Sequence, residues 1–133
     1  MEGFPVRVRV DVRFRDLDPL GHVNNAVFLS YMELARIRYF QRISPDWLEE
    51  GHFVVARMEV DDLRPILLGG EVFVGVRTVG IGRASLRMEH LVTANGESAA
   101  KGLGVLVWLE GGRPAPLPEA IRERIRALEG RPL

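Results

Sequence analysis

Residues 24–42 read NNAVFLSYMELARIRYFQR, contain neither glycine nor proline, and are followed by Ile43 and Ser44. Asn24 and Asn25 are good N-cap residues, so we expect a helix over Ala26 to Arg42, long enough for about four turns. Apolar residues cover most of its circumference, and Ser30, Glu33 and Arg36 lie on the polar remainder. A helix this apolar is enclosed by protein or by membrane, and its charged residues count against a membrane.

Strands are predicted on both sides of this helix. Val6 to Phe14 alternates apolar with polar residues, which indicates a half-buried strand. Ser44-Pro45 ends the long helix and begins a short helical turn through Glu50. Glycine-containing turns typical of hairpins separate four further strands, predicted at 53–61, 71–79, 84–92 and 99–110. A second helix is predicted over Leu117 to Leu128, with Gly130 as its stop.

The order of these elements predicts an α+β fold in one domain that covers residues 1–133. Four consecutive strands can form an antiparallel meander, and the first strand can join the same sheet. The sheet must then curl around the long helix to bury it. An exposed sheet edge and the excess apolar surface of the helix predict a homodimer that assembles further into a homotetramer.

Composition excludes several classes of protein. The chain has 133 residues, a formal net charge of +0 and no cysteine. We therefore expect no nucleic-acid partner, no disulfide and no thiolate metal site. Seventeen of the eighteen basic residues are arginine, which is typical of a GC-rich genome, for instance that of a thermophile. No signal peptide or membrane-spanning stretch is visible, so a cytoplasmic protein is predicted.

Residues 16–25, which read DLDPLGHVNN, lie between the first strand and the start of the long helix. The N-terminus of a helix presents unpaired N–H groups and a partial positive charge, which suit an oxyanion or a polarised carbonyl. A carboxylate held one loop away can act as a nucleophile or as a general base. Cysteine is absent, and Ser30 and Ser44 lack a nucleophile-elbow sequence, so a hydrolase of this kind would use a carboxylate.

The run Asp18-x-x-Gly21-His22-Val23-Asn24-Asn25, with Phe28, Tyr31, Glu33 and Arg36 after it, resembles a known family. It is similar to acyl-CoA thioesterases of the hotdog fold, in particular to the 4-hydroxybenzoyl-CoA thioesterase-like group and its acyl-carrier-protein relatives. The resemblance covers nearly the whole chain. It implies a five-stranded antiparallel sheet wrapped around a long central helix, with a short C-terminal helix.

The resemblance also implies roles for residues of this loop. Asp18 would be the catalytic carboxylate, as nucleophile or as general base, and the backbone N–H of Asn25 would polarise the thioester carbonyl. His22 and Asn24 would order the loop or the water. The substrate would be an acyl-CoA or acyl-carrier-protein thioester, with CoA as part of the substrate and no separate cofactor. The three histidines and the scattered acidic residues have no metal-ligand spacing, so no metal is expected. A partner subunit would complete the site.

Basic side chains would hold the phosphates of CoA. The candidates are Arg83, Arg57 and Arg87, together with Arg64, because a guanidinium binds phosphate through two hydrogen bonds. Arg83 follows a glycine-rich turn and is the first choice. The alternative is that these arginines are solvated residues of strand faces.

Other polar residues have structural interpretations. Asp16 is expected to bond loop amides, and Asp18 could be only a turn residue before its proline. Glu33 and Arg36 form a helical i,i+3 pair, whereas His52 and His90 are isolated. Two other functions stay open: a non-catalytic acyl-CoA-binding protein, and a hotdog hydratase or dehydratase.

Overall fold

The computed structural model describes residues 1–44 and 51–133. Six strands and two α-helices are assigned in this part of the chain. In chain order they are β1 (Val6–Val10), α1 (Asn25–Ile43), β2 (His52–Asp62), β3 (Val72–Ile81), β4 (Ser85–Ala94), β5 (Glu97–Glu110), β6 (Arg113–Pro114) and α2 (Glu119–Glu129). The helical turn predicted to run through residue 50 lies outside the described residues. The predicted α+β class is confirmed.

All strand pairs in the sheet are antiparallel, and the strand order is β1-β3-β4-β5-β2, with β6 added to β5. The predicted meander holds from β3 to β5 but is wrong for β2, which pairs with β5 from His52↔Leu109 to Asp62↔Ala100. The link between β2 and β3 is too long for a tight turn. The backbone N–H groups of its first residues, Leu63 and Arg64, donate to the carbonyl of Ala99 in β5. The link therefore passes over β5 as it leaves β2.

The long helix α1 packs on β1, β3 and β4, and α2 packs against α1 and β3. Met32, Ala35 and Tyr39 are fully buried on the sheet side of α1. Leu29 and Leu34, by contrast, are 45% and 51% exposed in the single chain. The helix is therefore only partly enclosed by its own sheet. No helix in the described ranges combines the length and apolarity needed to cross a bilayer.

The first strand is shorter than the sequence pattern predicts. β1 ends at Val10, and residues 14–16 form a 3-10 turn in which Phe14 is 82% exposed. The carboxylate of Asp16 accepts the Arg13 N–H at 3.0 Å, which turns the chain away from the sheet. This change of direction places residues 17–24 at the N-terminus of α1.

The other boundaries differ from prediction by a few residues. α1 extends one residue beyond the predicted range at each end. α2 begins after Pro118, which is its N-cap, and Gly130 ends it as predicted, in the left-handed conformation at φ 71°. Glycine adopts that conformation without steric cost.

Candidate active site

Asp18 is held in a tight turn that leaves part of its carboxylate available. Its Oδ1 accepts the N–H of Leu20 at 2.9 Å and the N–H of His22 at 3.2 Å. The N–H of Gly21, whose φ is 84°, donates to the Asp18 carbonyl at 3.0 Å. No donor to Oδ2 is found among residues 1–44 and 51–133. Asp18 is thus a turn residue, as its proline indicated, and still presents a free carboxylate oxygen.

The loop that carries Asp18 is fixed at both ends. The Asp18 N–H donates to the His22 carbonyl at 2.7 Å, and the Val23 N–H donates to the carbonyl of Ile66 at 2.8 Å. Ile66 is buried in the segment that links β2 to β3, and Leu67 forms a bridge with His22. The loop is therefore anchored to the link between β2 and β3 as well as to the helix.

The N-terminus of α1 offers one unpaired N–H group. Asn24 is the N-cap: its side chain accepts the Ala26 N–H at 2.9 Å, and its carbonyl accepts the Val27 N–H at 2.8 Å. Asn25 is the first residue of the helix rather than a cap, which corrects the expectation that both asparagines cap it. Within the described part of the chain, the N–H of Asn25 has no hydrogen-bond acceptor. It is free to bind an oxygen from outside the chain.

One cavity of about 260 Å³ brings these groups together. Its lining includes Asp18, His22, Asn25, Phe28 and Arg64. Three of the four predicted catalytic residues therefore line this cavity. The fourth, Asn24, does not line it and instead caps the helix that begins at Asn25. A carboxylate, a helix N-terminus and an imidazole around one space suit the hydrolysis of an activated carbonyl.

Asp16 bonds a loop amide, as the sequence predicted, and also forms a buried support with Tyr31 that sequence analysis did not find. Asp16 is 2% exposed, and its Oδ2 accepts the hydroxyl of Tyr31 at 2.8 Å. Its backbone carbonyl accepts the Asn24 N–H at 2.8 Å. Burial alone would raise the pKa of Asp16, but the hydrogen bonds from the Arg13 N–H and the Tyr31 hydroxyl outweigh it and hold that pKa below its ordinary value. The Asp16 carboxylate thus joins the loop that carries Asp18 to the middle of α1.

The arginines proposed for CoA lie at different places. Arg83 is exposed beside the β3–β4 hairpin, and its carbonyl accepts a hydrogen bond from Arg122. Arg57 and Arg87 pair in register with Val105 from either side, so they lie on one outer row of the sheet. None of these three is among the residues that line the Asp18 cavity.

Arg64 is the arginine that lines the cavity, and it forms an ion pair with Glu97 at 3.3 Å. The sequence placed Arg64 with the other candidates but gave no reason to prefer it. Its position depends on the link between β2 and β3, which the sequence did not place.

Arg36 is buried rather than part of a solvated polar stripe. It is 6% exposed, and its Nη1 lies 3.2 Å from Nε2 of His90. The other ring nitrogen of His90 lies 3.3 Å from the carbonyl of Gly102, which fixes Nδ1 as the donor and Nε2 as the acceptor. Burial, and then the charge of Arg36, lower the pKa of His90 to about 4, so its ring is neutral at pH 7.

Sequence comparison places the chain in a known family. The family model of the thioesterase-like superfamily matches residues 12–125. The chain belongs to this superfamily. This membership confirms the resemblance seen in the sequence and identifies the chain as a thioesterase, and the sheet around α1 is the predicted hotdog architecture.

Several relatives extend this result. A thioesterase from Thermus thermophilus, whose crystal structure contains coenzyme A and Zn, is 97% identical over the whole of both chains, with a TM-score of 0.96. The uncharacterised protein YsmA of Bacillus subtilis is 33% identical over 74% of this chain and 69% of its own length. The chloroplastic acyl-acyl carrier protein thioesterase ATL3 of Arabidopsis thaliana is 27% identical, and the chain spans 65% of its length.

The organism of the nearly identical relative agrees with the thermophilic source that the arginine content predicts. The zinc belongs to that relative's crystal structure. Among residues 1–44 and 51–133, no group of three or more His, Asp and Glu side chains could hold a metal ion.

Proposed function

We propose that this thioesterase hydrolyses acyl thioesters of CoA or of acyl carrier protein to the free acid and the thiol, with Asp18 as the catalytic carboxylate. One observation carries the proposal: Asn25, whose N–H is unpaired, and Asp18, whose carboxylate has a free oxygen, line the same cavity in the described part of the chain. The family supplies the reaction class, and this geometry supplies the groups for it.

The mechanism follows from these two groups. The thioester oxygen would accept the Asn25 N–H, where the partial positive charge of the helix stabilises the negative charge of the tetrahedral intermediate. The thiol has a pKa of about 8.5, so it leaves as a thiolate without a strong general acid. Asp18 would either attack the carbonyl carbon, giving a mixed anhydride that water hydrolyses, or take a proton from the attacking water. In both routes water supplies the elements that complete the acid and the thiol.

The remaining site residues have supporting roles in this proposal. Asn24 holds the helix terminus in shape by accepting the Ala26 N–H, and the N–H of His22 orients Asp18. His22 also lines the cavity, and its imidazole would order the attacking water. No separate cofactor takes part, because CoA is a portion of the substrate.

Recognition of the thiol-bearing portion is assigned to arginines. The relatives that act on acyl-acyl carrier protein or contain coenzyme A both point to a phosphopantetheine-bearing substrate. Arg64 would contact this portion near the site, since it lines the cavity. Arg83, Arg57 and Arg87 remain the predicted phosphate contacts farther away, on the hairpin and the outer sheet face.

A homodimer is proposed from two surfaces of the chain. β2 is the last strand of the sheet, so one edge of its backbone is unpaired within the sheet. Leu29, Leu34 and Ile37 of α1 are exposed large apolar residues. A second copy that covers both would bury this apolar surface and complete the site, and pairs of dimers would form the predicted tetramer. The single domain over residues 1–133 and the cytoplasmic location stay predictions from the sequence.

The proposal is tested with a panel of acyl-CoA and acyl-acyl carrier protein thioesters in an assay that detects free thiol. Thiol release above the buffer rate is expected for at least one acyl class. Tight binding with no thiol release would instead support a non-catalytic acyl-CoA-binding protein. Addition or loss of water on the acyl chain, with the thioester intact, would support a hydratase or dehydratase that uses His22.

A further inference from the structure

A second cavity lies between α1 and the edge strand β2, as the Asp18 cavity does. It has a volume of about 240 Å³ and is lined by Leu29, Ser30, Glu33, Arg36, Val55 and Met58. We call these six residues and the space between them the α1–β2 groove. Its walls are mostly apolar, which suits an acyl chain. Leu29 of the groove follows Phe28 of the Asp18 cavity along α1, so the groove begins one residue along the helix from the cavity where the thioester would bind.

Arg36 brings an unusual charge into this apolar groove. Its Nη1 is taken up by neutral His90, and no other hydrogen bond or ion pair of its guanidinium is found in the described ranges. Each nitrogen of the Arg36 side chain either has a hydrogen-bond partner or is reached by solvent. The Nε and Nη2 groups are thus reached by solvent, and Arg36 lines the groove. These are two nitrogens that can bind a carboxylate side-on.

A buried cation without an anionic partner carries an electrostatic cost that a bound anion relieves. Burial lowers the pKa of Arg36, but a guanidinium stays charged at neutral pH. The charge of Glu33 acts to raise the pKa of Arg36. Glu33 is nevertheless exposed to solvent and makes no ion pair with Arg36 within 4.0 Å. The groove therefore favours a ligand that combines an apolar chain with a terminal carboxylate.

We propose that the preferred acyl group carries a carboxylate at the end remote from the thioester, and that Arg36 binds this carboxylate. The inference rests on the proposed thioester hydrolysis. Asn25 and Arg36 are eleven residues apart, or about 16 Å along the helix axis. The Arg36 side chain leans toward the N-terminus and shortens this gap. An extended chain advances about 1.2 Å per bond, so dicarboxylic acyl groups of about eight to twelve carbons fit.

The test compares dicarboxylic acyl-CoA monothioesters with monocarboxylic acyl-CoA thioesters at eight, ten and twelve carbons. For the wild-type protein, we expect kcat/KM to be about tenfold or more higher for the dicarboxylic member of at least one pair. Arg36→Gln should abolish this preference, and Arg38→Gln, a matched change at an exposed arginine of the same helix, should keep it. Equal rates, or a preference for the monocarboxylic member at every length, would overturn the inference.

A second variant keeps the test decisive if Arg36→Gln does not fold. Glu33→Gln removes a like charge from the path of the carboxylate and should raise the dicarboxylic preference a few-fold, so an unchanged ratio contradicts the inference. If Arg36→Gln alters the oligomeric state and leaves the substrate ratio unchanged, Arg36 serves a second copy of the chain and the inference is wrong. If neither series is hydrolysed but another thioester of the acyl panel is, this inference is overturned and the proposed function stands. If no thioester of the panel is hydrolysed, the proposed function itself is overturned, and hydrolysis of only the monocarboxylic series overturns this inference alone.

Discussion

Tyr31→Phe removes one hydroxyl group from the support beneath the loop that carries Asp18. Tyr31 and Asp16 are 3% and 2% exposed, and the hydroxyl donates to the Asp16 carboxylate at 2.8 Å. A hydrogen bond to a buried charged group is worth about 2 kcal/mol, so the free energy of unfolding should fall by that amount. For a chain of this length the melting temperature should decrease by about 7 °C.

The same change should slow catalysis. Asp16 also accepts the Asn24 N–H, so loss of its tyrosine partner loosens the loop that orients Asp18. Small displacements of reacting groups are costly, and we expect kcat to fall by at least ~10-fold. KM should change little, because the cavity walls remain.

Tyr39→Phe is the matched control for this prediction. Tyr39 lies on the same helix, is fully buried, and shares hydrogen bonds with Thr78 at 2.8 Å and Glu129 at 2.7 Å, away from the loop. Urea denaturation should show a similar loss of stability for both variants, whereas thiol release should slow only for Tyr31→Phe. Equal kcat values in the two variants would refute the positioning role of Tyr31 and Asp16.

Two further predictions concern stability. The pKa of His90 in the folded chain is about 4, below the ordinary 6.5, so the unfolded chain binds the extra proton between these values. Stability should therefore fall as the pH falls from 6.5 to 4, by about 2 kcal/mol at pH 5, and urea denaturation of His90→Gln should lack this component. Gly51→Ala should destabilise the fold by about 2 kcal/mol, since a Cβ there would lie 2.6 Å from both the Leu109 carbonyl and a ring carbon of Trp108. A thermal melt unchanged from wild type would contradict that estimate.

Local signals in the sequence were sufficient for much of the fold. α1 was predicted to within one residue at each end, because the segment lacks helix breakers and Asn24 caps it. The hairpins were predicted from their turn residues, including Asn95 and Gly96, whose φ values are 52° and 81°. The position of β2 was not predictable in this way, because its partner β5 begins more than thirty residues after β2 ends.

The site residues were likewise predictable where they lie close together in the sequence and not where they depend on distant residues. The motif brought Asp18, His22 and Asn25 to attention because they lie in one loop at one helix terminus. The burial of Arg36 depends on His90, which is 54 residues away. The role of Arg64 depends on the path of the link between β2 and β3. Neither relation has a local pattern that a single sequence could reveal.

The most direct test of the central claim is the kcat of Asp18→Asn for an acyl-CoA that the wild-type protein hydrolyses. The amide keeps the size of the side chain and its acceptor for the Leu20 and His22 N–H groups, so the fold should persist. Asp11→Asn, at a side chain that is 94% exposed, is the control. We predict that kcat falls at least ~100-fold for Asp18→Asn and is unchanged for Asp11→Asn. Wild-type turnover by a folded Asp18→Asn protein would contradict the account.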